Sequence, residues 1–172
     1  MGFSITVEHG IERLAEADLV AVPAATRDLA YPAEVLAALA AAVDRGARVM
    51  SVCTGAFVLG AAGLLDGRRC TTHWLYADEL AQRYPLAKVD PNVLYVDDDS
   101  VVTSAGSAAG IDASLHLWRT EYGATTAATW CRCRRPRIHR TTMWTMMTTI
   151  NLKPRPVHPG VRLTRQRLAI IE

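Results

Sequence analysis

The stretch that decides the fold spans residues 48–62, which read RVMSVCTGAFVLGAA. A short apolar run rich in β-branched residues, ending at Val52, is typical of a buried strand. The small residues that follow Thr54 let the backbone double back into a helix. The stretch therefore predicts a strand, a sharp turn and a helix, with Cys53 at the turn.

The position of Cys53 alone admits two interpretations. A thiol at the N-terminus of a helix faces the positive end of the helix dipole, which favours thiolate and suits a nucleophile, a ligand site or an oxidation sensor. A cysteine at the end of an apolar strand is also typical of a small buried hydrophobic residue. The residues around Cys53 determine whether it is a reactive thiol or a buried hydrophobic residue.

Length and composition predict one soluble domain. Half of the 172 residues are hydrophobic, which allows a real core, and no apolar run reaches the roughly 18 residues of a membrane span. The first residues lack a basic segment followed by an apolar one, so we expect no signal peptide and a cytoplasmic location. The 4 cysteines are too few for a secreted disulfide framework, which agrees with a reducing compartment.

The net charge of +2 hides an asymmetry along the chain. Residues 1–122 carry 9 Lys and Arg against 16 Asp and Glu, whereas residues 123–172 carry 10 against 1. This change predicts a boundary near Gly123. We expect one domain over residues 1–123 and a basic tail over residues 124–172 that is not an independent domain.

Strand and helix patterns alternate along the first part of the chain. The apolar run Leu19–Val22 predicts a buried strand, and apolar residues spaced by three and four predict a helix over residues 32–45. Further strands are expected at residues 3–7, 69–72, 93–96 and 101–103, and further helices at residues 74–83 and 108–122. Because parallel strands need crossover helices, the alternation predicts an α/β fold with a parallel sheet covered on both faces. Ligands of such sheets bind at the carboxyl ends of the strands, where Cys53 lies.

Four separated segments carry a resemblance to a known family. They are SVCTGAFVL at residues 51–59, GLLDGRR at 63–69, TTHW at 71–74, and TSAG at 103–106 through GID at 110–112. Together they resemble the ThiJ/PfpI superfamily. More closely, they are similar to the class I glutamine amidotransferase-like domain that forms the N-terminal half of many AraC-type transcription regulators. The resemblance covers residues 3–122.

The resemblance implies a flavodoxin-like three-layer α/β sandwich with a mostly parallel sheet, followed here by an irregular basic tail. It implies that Cys53 occupies the elbow after a central strand, that Thr54 supplies the next backbone amide, and that His73 matches a histidine near the site. We therefore expect a ligand site formed by Cys53, Thr54, Gly55 and His73, with no metal and no cofactor. Cys53 would be the catalytic residue if the chain has any activity.

Three departures from the family pattern weigh against catalysis. Peptidase-like members place His directly after the cysteine, where this chain has Thr54, and Ala24 stands where relatives usually have Gly. Relatives also begin with a segment that this chain lacks, which carries their first strand and the acid that partners the cysteine. We therefore expect a domain that is incomplete at its start, with an exposed sheet edge and no general base for Cys53 within residues 1–47.

The basic tail does not continue the resemblance into the two helix-turn-helix units of such regulators. Its run WCRCRRPR at residues 130–137 has neither a helical period nor a recognition-helix pattern. Two interpretations stay open: a tail that binds phosphates without sequence preference, and residues appended by a change of reading frame, which we favour. Cys131, Cys133 and His139 offer three zinc ligands where a structural site needs four at tighter spacing, so we expect no metal there.

Some smaller features concern packing. His116 lies four residues after Asp112, so the two are expected to pair on one helix. Apolar spacing predicts that Leu75, Ala77 and Leu80 form the buried side of the helix at residues 74–83, and that Ile111, Leu115 and Trp118 share one side of the helix at residues 108–122. Trp74 and Trp118 have the spacing of core residues. The acidic run at residues 97–99 is expected to be a solvated hairpin tip rather than a cation site.

The predicted function is a non-catalytic or residual small-molecule-sensing domain related to AraC-type transcription regulators, without their DNA-binding part. The alternative is a cysteine-dependent hydrolase, hydratase or deglycase of the ThiJ/PfpI superfamily that uses Cys53. A third possibility is a nucleic-acid binder that acts through the tail. We expect an unidentified small-molecule ligand, a homodimer, no membrane contact, and DNA binding only of the non-specific kind.

Overall fold

The computed structural model describes residues 9–27, 30–133 and 168–170. The strand expected at residues 3–7 and most of the basic tail lie outside these residues. The described part contains five α-helices: α1 (Ala33–Asp44), α2 (Ala56–Ala61), α3 (Ala77–Arg83), α4 (Ser107–Tyr122) and α5 (Ala124–Cys133). It also contains seven strands: β1 (Leu19–Val22), β2 (Arg48–Val52), β3 (Arg69–Cys70), β4 (Lys88–Val89), β5 (Tyr95–Asp98), β6 (Val101–Ser104) and β7 (Leu168–Ile170). Short 3₁₀ helices occupy Ile11–Glu16, Cys53–Gly55 and Trp74–Tyr76.

Five strands form the main sheet in the order β5-β6-β2-β1-β7. The central strand β2 runs parallel to β1 on one side, with Arg48 opposite Leu19, and parallel to β6 on the other. Within this sheet β5 pairs antiparallel with β6 through a hairpin. The parallel pair of β3 and β4 lies apart from the main sheet. The predicted α/β fold with a mostly parallel sheet is therefore confirmed.

The core lies on both faces of β2. Val49 packs with Leu39 of α1 and Phe57 of α2 on one face, whereas Met50 packs with Leu117 of α4 on the other. Successive side chains of a strand point to opposite faces, so helices must cover both sides of β2. This arrangement is the expected three-layer sandwich.

The last described strand occupies the edge of the sheet beside β1. β7 pairs in parallel with β1, with Leu168 opposite Leu19. Pairing with β7 supplies partners for backbone groups of β1 that an edge strand leaves open. The structure thus differs from the expectation of an exposed edge at this position. It also differs at the start of the tail, where α5 follows α4 directly because Gly123, at φ 84, ends α4 in a turn.

Several residues that were expected in the core are exposed. Trp74 and Leu75 are 69% and 58% exposed, because residues 74–76 form a separate 3₁₀ helix rather than the first turn of α3. Ile111 on α4 is 41% exposed, and the buried face of that helix is formed instead by Leu117 and by small residues such as Ala109 and Ala113. Small residues let α4 lie close to β2, where a Cβ on Gly110 would be 3.0 Å from the Val52 side chain. None of the helices in the described ranges is long and apolar enough to cross a membrane.

Candidate functional site

The candidate site is built around the turn between β2 and α2. Cys53 has a φ of 55°, a left-handed conformation that is uncommon for residues other than glycine. Its backbone N–H donates to the carbonyl of Ala105 at 2.9 Å, and its carbonyl accepts from the Thr72 hydroxyl at 2.8 Å. The ends of β2 and β6 and the segment after β3 therefore meet at this turn. The Cys53 side chain is partly exposed.

Thr54 and Gly55 attach the turn to the carboxyl end of β1. The Thr54 hydroxyl donates to the Ala25 carbonyl at 2.8 Å and accepts from the Ala25 N–H at 3.1 Å. Gly55 lies so close to β1 that a Cβ there would be 2.5 Å from the Pro23 carbonyl oxygen. Both residues thus hold Cys53 in place, and the buried Thr54 hydroxyl is already fully engaged.

His73 directly follows Thr72, whose hydroxyl donates to the Cys53 carbonyl. Its Nδ1 accepts a hydrogen bond from the Leu75 N–H at 3.2 Å, which caps the 3₁₀ helix Trp74–Tyr76. The other edge of the ring faces Gly106, where a Cβ would be 3.5 Å from Cδ2. Gly106 follows Ala105, the partner of the Cys53 N–H, so the fold brings His73 and the Cys53 turn to one region.

Arg27 and Tyr76 extend this region in a way that the sequence did not indicate. The Arg27 guanidinium lies 3.9 Å from the centroid of the Tyr76 ring and forms an ion pair with Glu79. The Tyr76 ring in turn lies 5.5 Å from the His73 ring, measured between centroids. Arg27 belongs to a loop with no periodic pattern, so only the fold places it beside Tyr76.

The two cysteines of the sandwich differ in environment. Burial raises the pKa of the Cys70 thiol to about 11, and the charge of Asp98 acts in the same direction. Cys70 therefore behaves as a buried hydrophobic residue, whereas Cys53 is partly exposed at the margin of the core cluster that contains Met50 and Leu117. In the part of the chain that the structure describes, no group of three His, Cys, Asp or Glu residues is placed to hold a metal ion.

A separate polar cluster lies at the other end of the sheet. His116 Nε2 is 2.6 Å from Asp97 Oδ2, so the expected pairing of His116 with Asp112 is wrong. The hairpin carries Asp97 beside α4, a tertiary proximity that spacing along a helix cannot show. Burial alone would raise the pKa of Asp97, but hydrogen bonds from Arg48 and His116 outweigh it and hold that pKa below its usual value. Arg48 also pairs with Glu121.

Comparison with known proteins agrees with this architecture. The sequence pattern of the DJ-1/PfpI family matches residues 1–120. This chain belongs to the DJ-1/PfpI family. The resemblance to the ThiJ/PfpI superfamily found in the sequence is therefore confirmed.

Individual relatives include both regulators and an enzyme. The chain is 35% identical over 123 residues to the HTH-type transcriptional regulator CdhR of Pseudomonas aeruginosa, a match that covers 71% of this chain and 36% of that protein. It is 47% identical over 79 residues to isonitrile hydratase of Pseudomonas putida, covering 46% of this chain and 33% of the hydratase. The chain thus spans about a third of the length of these curated relatives.

Among solved structures, an AraC family transcriptional regulator from Pseudomonas putida has a similar fold. The two superpose with a TM-score of 0.64 at 25% identity, covering 73% of this chain and 68% of that chain. The AraC relationship inferred from the sequence is thus confirmed at the level of homologues. Several relatives of this domain are transcription regulators.

Proposed function

We propose that this DJ-1/PfpI domain binds a small molecule beside Cys53 and His73 and serves as the sensory part of an AraC-type transcription regulator, without catalysing a reaction. The observation that carries the proposal is the match to an HTH-type transcriptional regulator over 71% of the chain, together with a partly exposed Cys53 at the carboxyl ends of the strands. Ligands of open α/β sheets bind at this edge.

The contacts of Cys53 favour binding over catalysis. Among the described residues, Cys53 makes its hydrogen bonds with backbone atoms. Its N–H donates to the Ala105 carbonyl, and its carbonyl accepts from the Thr72 hydroxyl. A general base has to lie within hydrogen-bond reach of the proton that it removes. Thr54, the next residue, has no ionisable group and uses its hydroxyl to hold Ala25.

The path of α4 suggests how occupancy of the site is passed on. The helix begins after Gly106, beside the His73 ring, and runs 16 residues to Tyr122, where α5 follows. A ligand can shift an equilibrium only by the difference in its affinity for two states. A ligand that contacts the first turn of α4 would bias the position of the segment that leads into α5.

Thermal unfolding of the purified chain tests the sensor proposal. We would screen the proteinogenic amino acids, their decarboxylated amines and short carboxylic acids, and compare wild type with Gly106→Leu, which places bulk beside His73. Ala41→Leu on the exposed side of α1 is the matched control. A ligand at 100 times its Kd stabilises by about 2.7 kcal/mol, which shifts the midpoint by several degrees. We expect a shift in wild type and Ala41→Leu that is lost in Gly106→Leu; no shift, or one retained in Gly106→Leu, would contradict the proposal.

The similarity to isonitrile hydratase supports a second candidate, a hydratase, hydrolase or deglycase that uses Cys53. A hydratase would add water to an isonitrile carbon to give an N-formyl amine. The sensor proposal predicts that an alkyl isonitrile disappears at the same rate with and without the chain. Turnover that Cys53→Ser abolishes would favour the enzyme.

Three further proposals concern the setting of the domain. We propose a cytoplasmic homodimer, which light scattering across a concentration series tests, since a constant monomer mass would contradict it. We also propose that DNA is bound only without sequence preference, through the tail. That proposal is tested below.

A further inference from the structure

The hydrogen bond from Leu75 fixes which nitrogen of His73 carries the proton. Nδ1 accepts the Leu75 N–H at 3.2 Å. A nitrogen that accepts a hydrogen bond presents a lone pair, so in the neutral ring the proton lies on Nε2. His73 therefore turns an N–H donor away from its own helix, on the edge of the ring that faces Gly106.

Neighbouring rings hold the plane of the His73 ring. His73 stacks on Trp74 with centroids 5.6 Å apart, and its other neighbour, Tyr76, is itself packed against the Arg27 guanidinium. A half-turn flip of the ring would leave these ring contacts in place but would put Cδ2 where Nδ1 accepts the Leu75 N–H, so the hydrogen bond at Leu75 selects the flip. The N–H at Nε2 of His73 therefore has a fixed direction, toward the region of Gly106.

We propose that His73 is a fixed hydrogen-bond donor that selects small molecules carrying an oxygen acceptor attached to an apolar body, and that it is not the base that activates Cys53. The proposal rests on the function proposed above for the same site. Nε2 already bears a proton and cannot take one from a thiol, while Nδ1 is engaged with Leu75. The apolar body is matched by Trp74 and Leu75, which are exposed directly beside the ring.

Two substitutions separate the two nitrogens of His73. In His73→Asn the amide oxygen lies near the position that Nδ1 has in the wild-type ring and can still accept from the Leu75 N–H. The N–H at Nε2 is lost and nothing replaces it. In His73→Gln the amide nitrogen reaches toward Nε2 and keeps the donor. A purely structural role for His73 predicts that Asn is the better replacement, whereas the donor role predicts that Gln is better for binding.

Nitrogen-15 NMR of the histidine rings in the full chain at pH 8 tests the tautomer without any ligand. We expect His73 to be protonated on Nε2 and not on Nδ1. A ring protonated on Nδ1 would overturn the proposal. As a second measurement, the pH profile of iodoacetamide reaction at Cys53 should superimpose in wild type and His73→Gln, and a displaced profile would also overturn it.

Binding is measured with three probes of one shape: phenylacetate, phenylacetamide and 2-phenylethylammonium. The first two carry an oxygen acceptor as a carboxylate and as a neutral amide, and the third carries donors only. We expect the carboxylate or the amide to bind wild type and to lose about tenfold in affinity in His73→Asn, the size of one hydrogen bond, while His73→Gln keeps most of it. Comparison of the two acceptor probes shows whether charge is required.

Binding of the ammonium probe as tightly as the others, equal losses in both variants, or no binding by either acceptor probe would overturn the proposal. These failures are distinct from failure of the sensor function. A ligand from the thermal screen that depends on Gly106 but tolerates His73→Asn would leave the sensor in place and remove the donor role.

Discussion

One side chain, Thr54, satisfies both backbone groups of a residue 29 positions away. Its hydroxyl donates to the Ala25 carbonyl at 2.8 Å and accepts from the Ala25 N–H at 3.1 Å. The turn that carries Cys53 is thereby fastened to the loop after β1. The geometry of the site depends on this link between two parallel strands.

Thr54→Val should destabilise the domain by about 1 kcal/mol, because it leaves the N–H and carbonyl of Ala25 without their partner in a part-buried position. Thr54→Ser keeps the hydroxyl and should cost clearly less. Urea unfolding followed by circular dichroism measures both. Equal stability losses in the two variants would show that the methyl group, not the hydroxyl, matters.

Gly55→Ala should be strongly unfavourable, because the added Cβ would lie 2.5 Å from the Pro23 carbonyl oxygen and 2.6 Å from that of Val22. Both neighbours are backbone atoms, so relief requires β1 and the turn to separate, which we expect to cost about 1–3 kcal/mol. Gly106→Ala is the control, since its Cβ meets His73 at an ordinary 3.5 Å. Similar unfolding midpoints for the two variants would contradict the close packing of Gly55.

The stability of the domain should fall in acid through Asp97. Its side chain is 24% exposed and is hydrogen-bonded by Arg48 and His116, so its folded-state pKa lies below the usual value. A carboxyl group with a depressed pKa contributes stability above its unfolded pKa of about 3.9 and loses it as the pH falls through the folded value. The difference in unfolding free energy between wild type and Asp97→Asn should therefore shrink below about pH 4.

Urea unfolding from pH 3 to pH 7 measures this difference. Asp99→Asn serves as the control, because the Asp99 side chain is 86% exposed at the hairpin tip. A difference for Asp97→Asn that stays constant over the whole range would contradict the role assigned to its hydrogen bonds.

Cys53 and Cys70 should differ in reactivity. Burial raises the pKa of Cys70 to about 11, so its thiol stays protonated near neutral pH, and thiolate is the reactive form. In a Cys131→Ser, Cys133→Ser background, iodoacetamide at pH 8 should label the partly exposed Cys53 and leave Cys70 unmodified until the chain is unfolded. Peptide mass spectrometry measures the labelling of each cysteine separately. Labelling of Cys70 as fast as that of Cys53 would contradict the burial of Cys70.

Any binding of duplex DNA by the chain should be weak, without sequence preference, and made through the basic tail. Each phosphate that a basic residue neutralises adds about −0.9 to the slope of log affinity against log salt. Replacing Arg134 and Arg135 by Gln should make this slope less negative by about one to two. Arg13→Gln in the acidic part of the chain should leave it unchanged. Affinity that differs between unrelated DNA sequences would argue instead for specific recognition.

Local sequence patterns predicted much of the fold. The helix expected at residues 32–45 is α1 (Ala33–Asp44), and the apolar run at Leu19–Val22 is β1, because both signals depend on spacing within one element. The sequence patterns gave wrong predictions where a helix was interrupted, and where the partner of a side chain lies on a different element. Trp74 has the spacing of a core residue but belongs to a separate 3₁₀ helix, and His116 finds Asp97 across the hairpin rather than Asp112 on its own helix.

By itself the sequence determined the alternation of β1, α1, β2 and α2, the position of Cys53 on a turn after the central strand, and the membership of the DJ-1/PfpI family. Only the tertiary structure decided what surrounds Cys53. It brought together Thr54 with Ala25, His73 with Gly106, and Arg27 with Tyr76. The physical reason is that periodicity records which face of an element is apolar, whereas these contacts depend on how closely separate elements pack and which way each side chain turns.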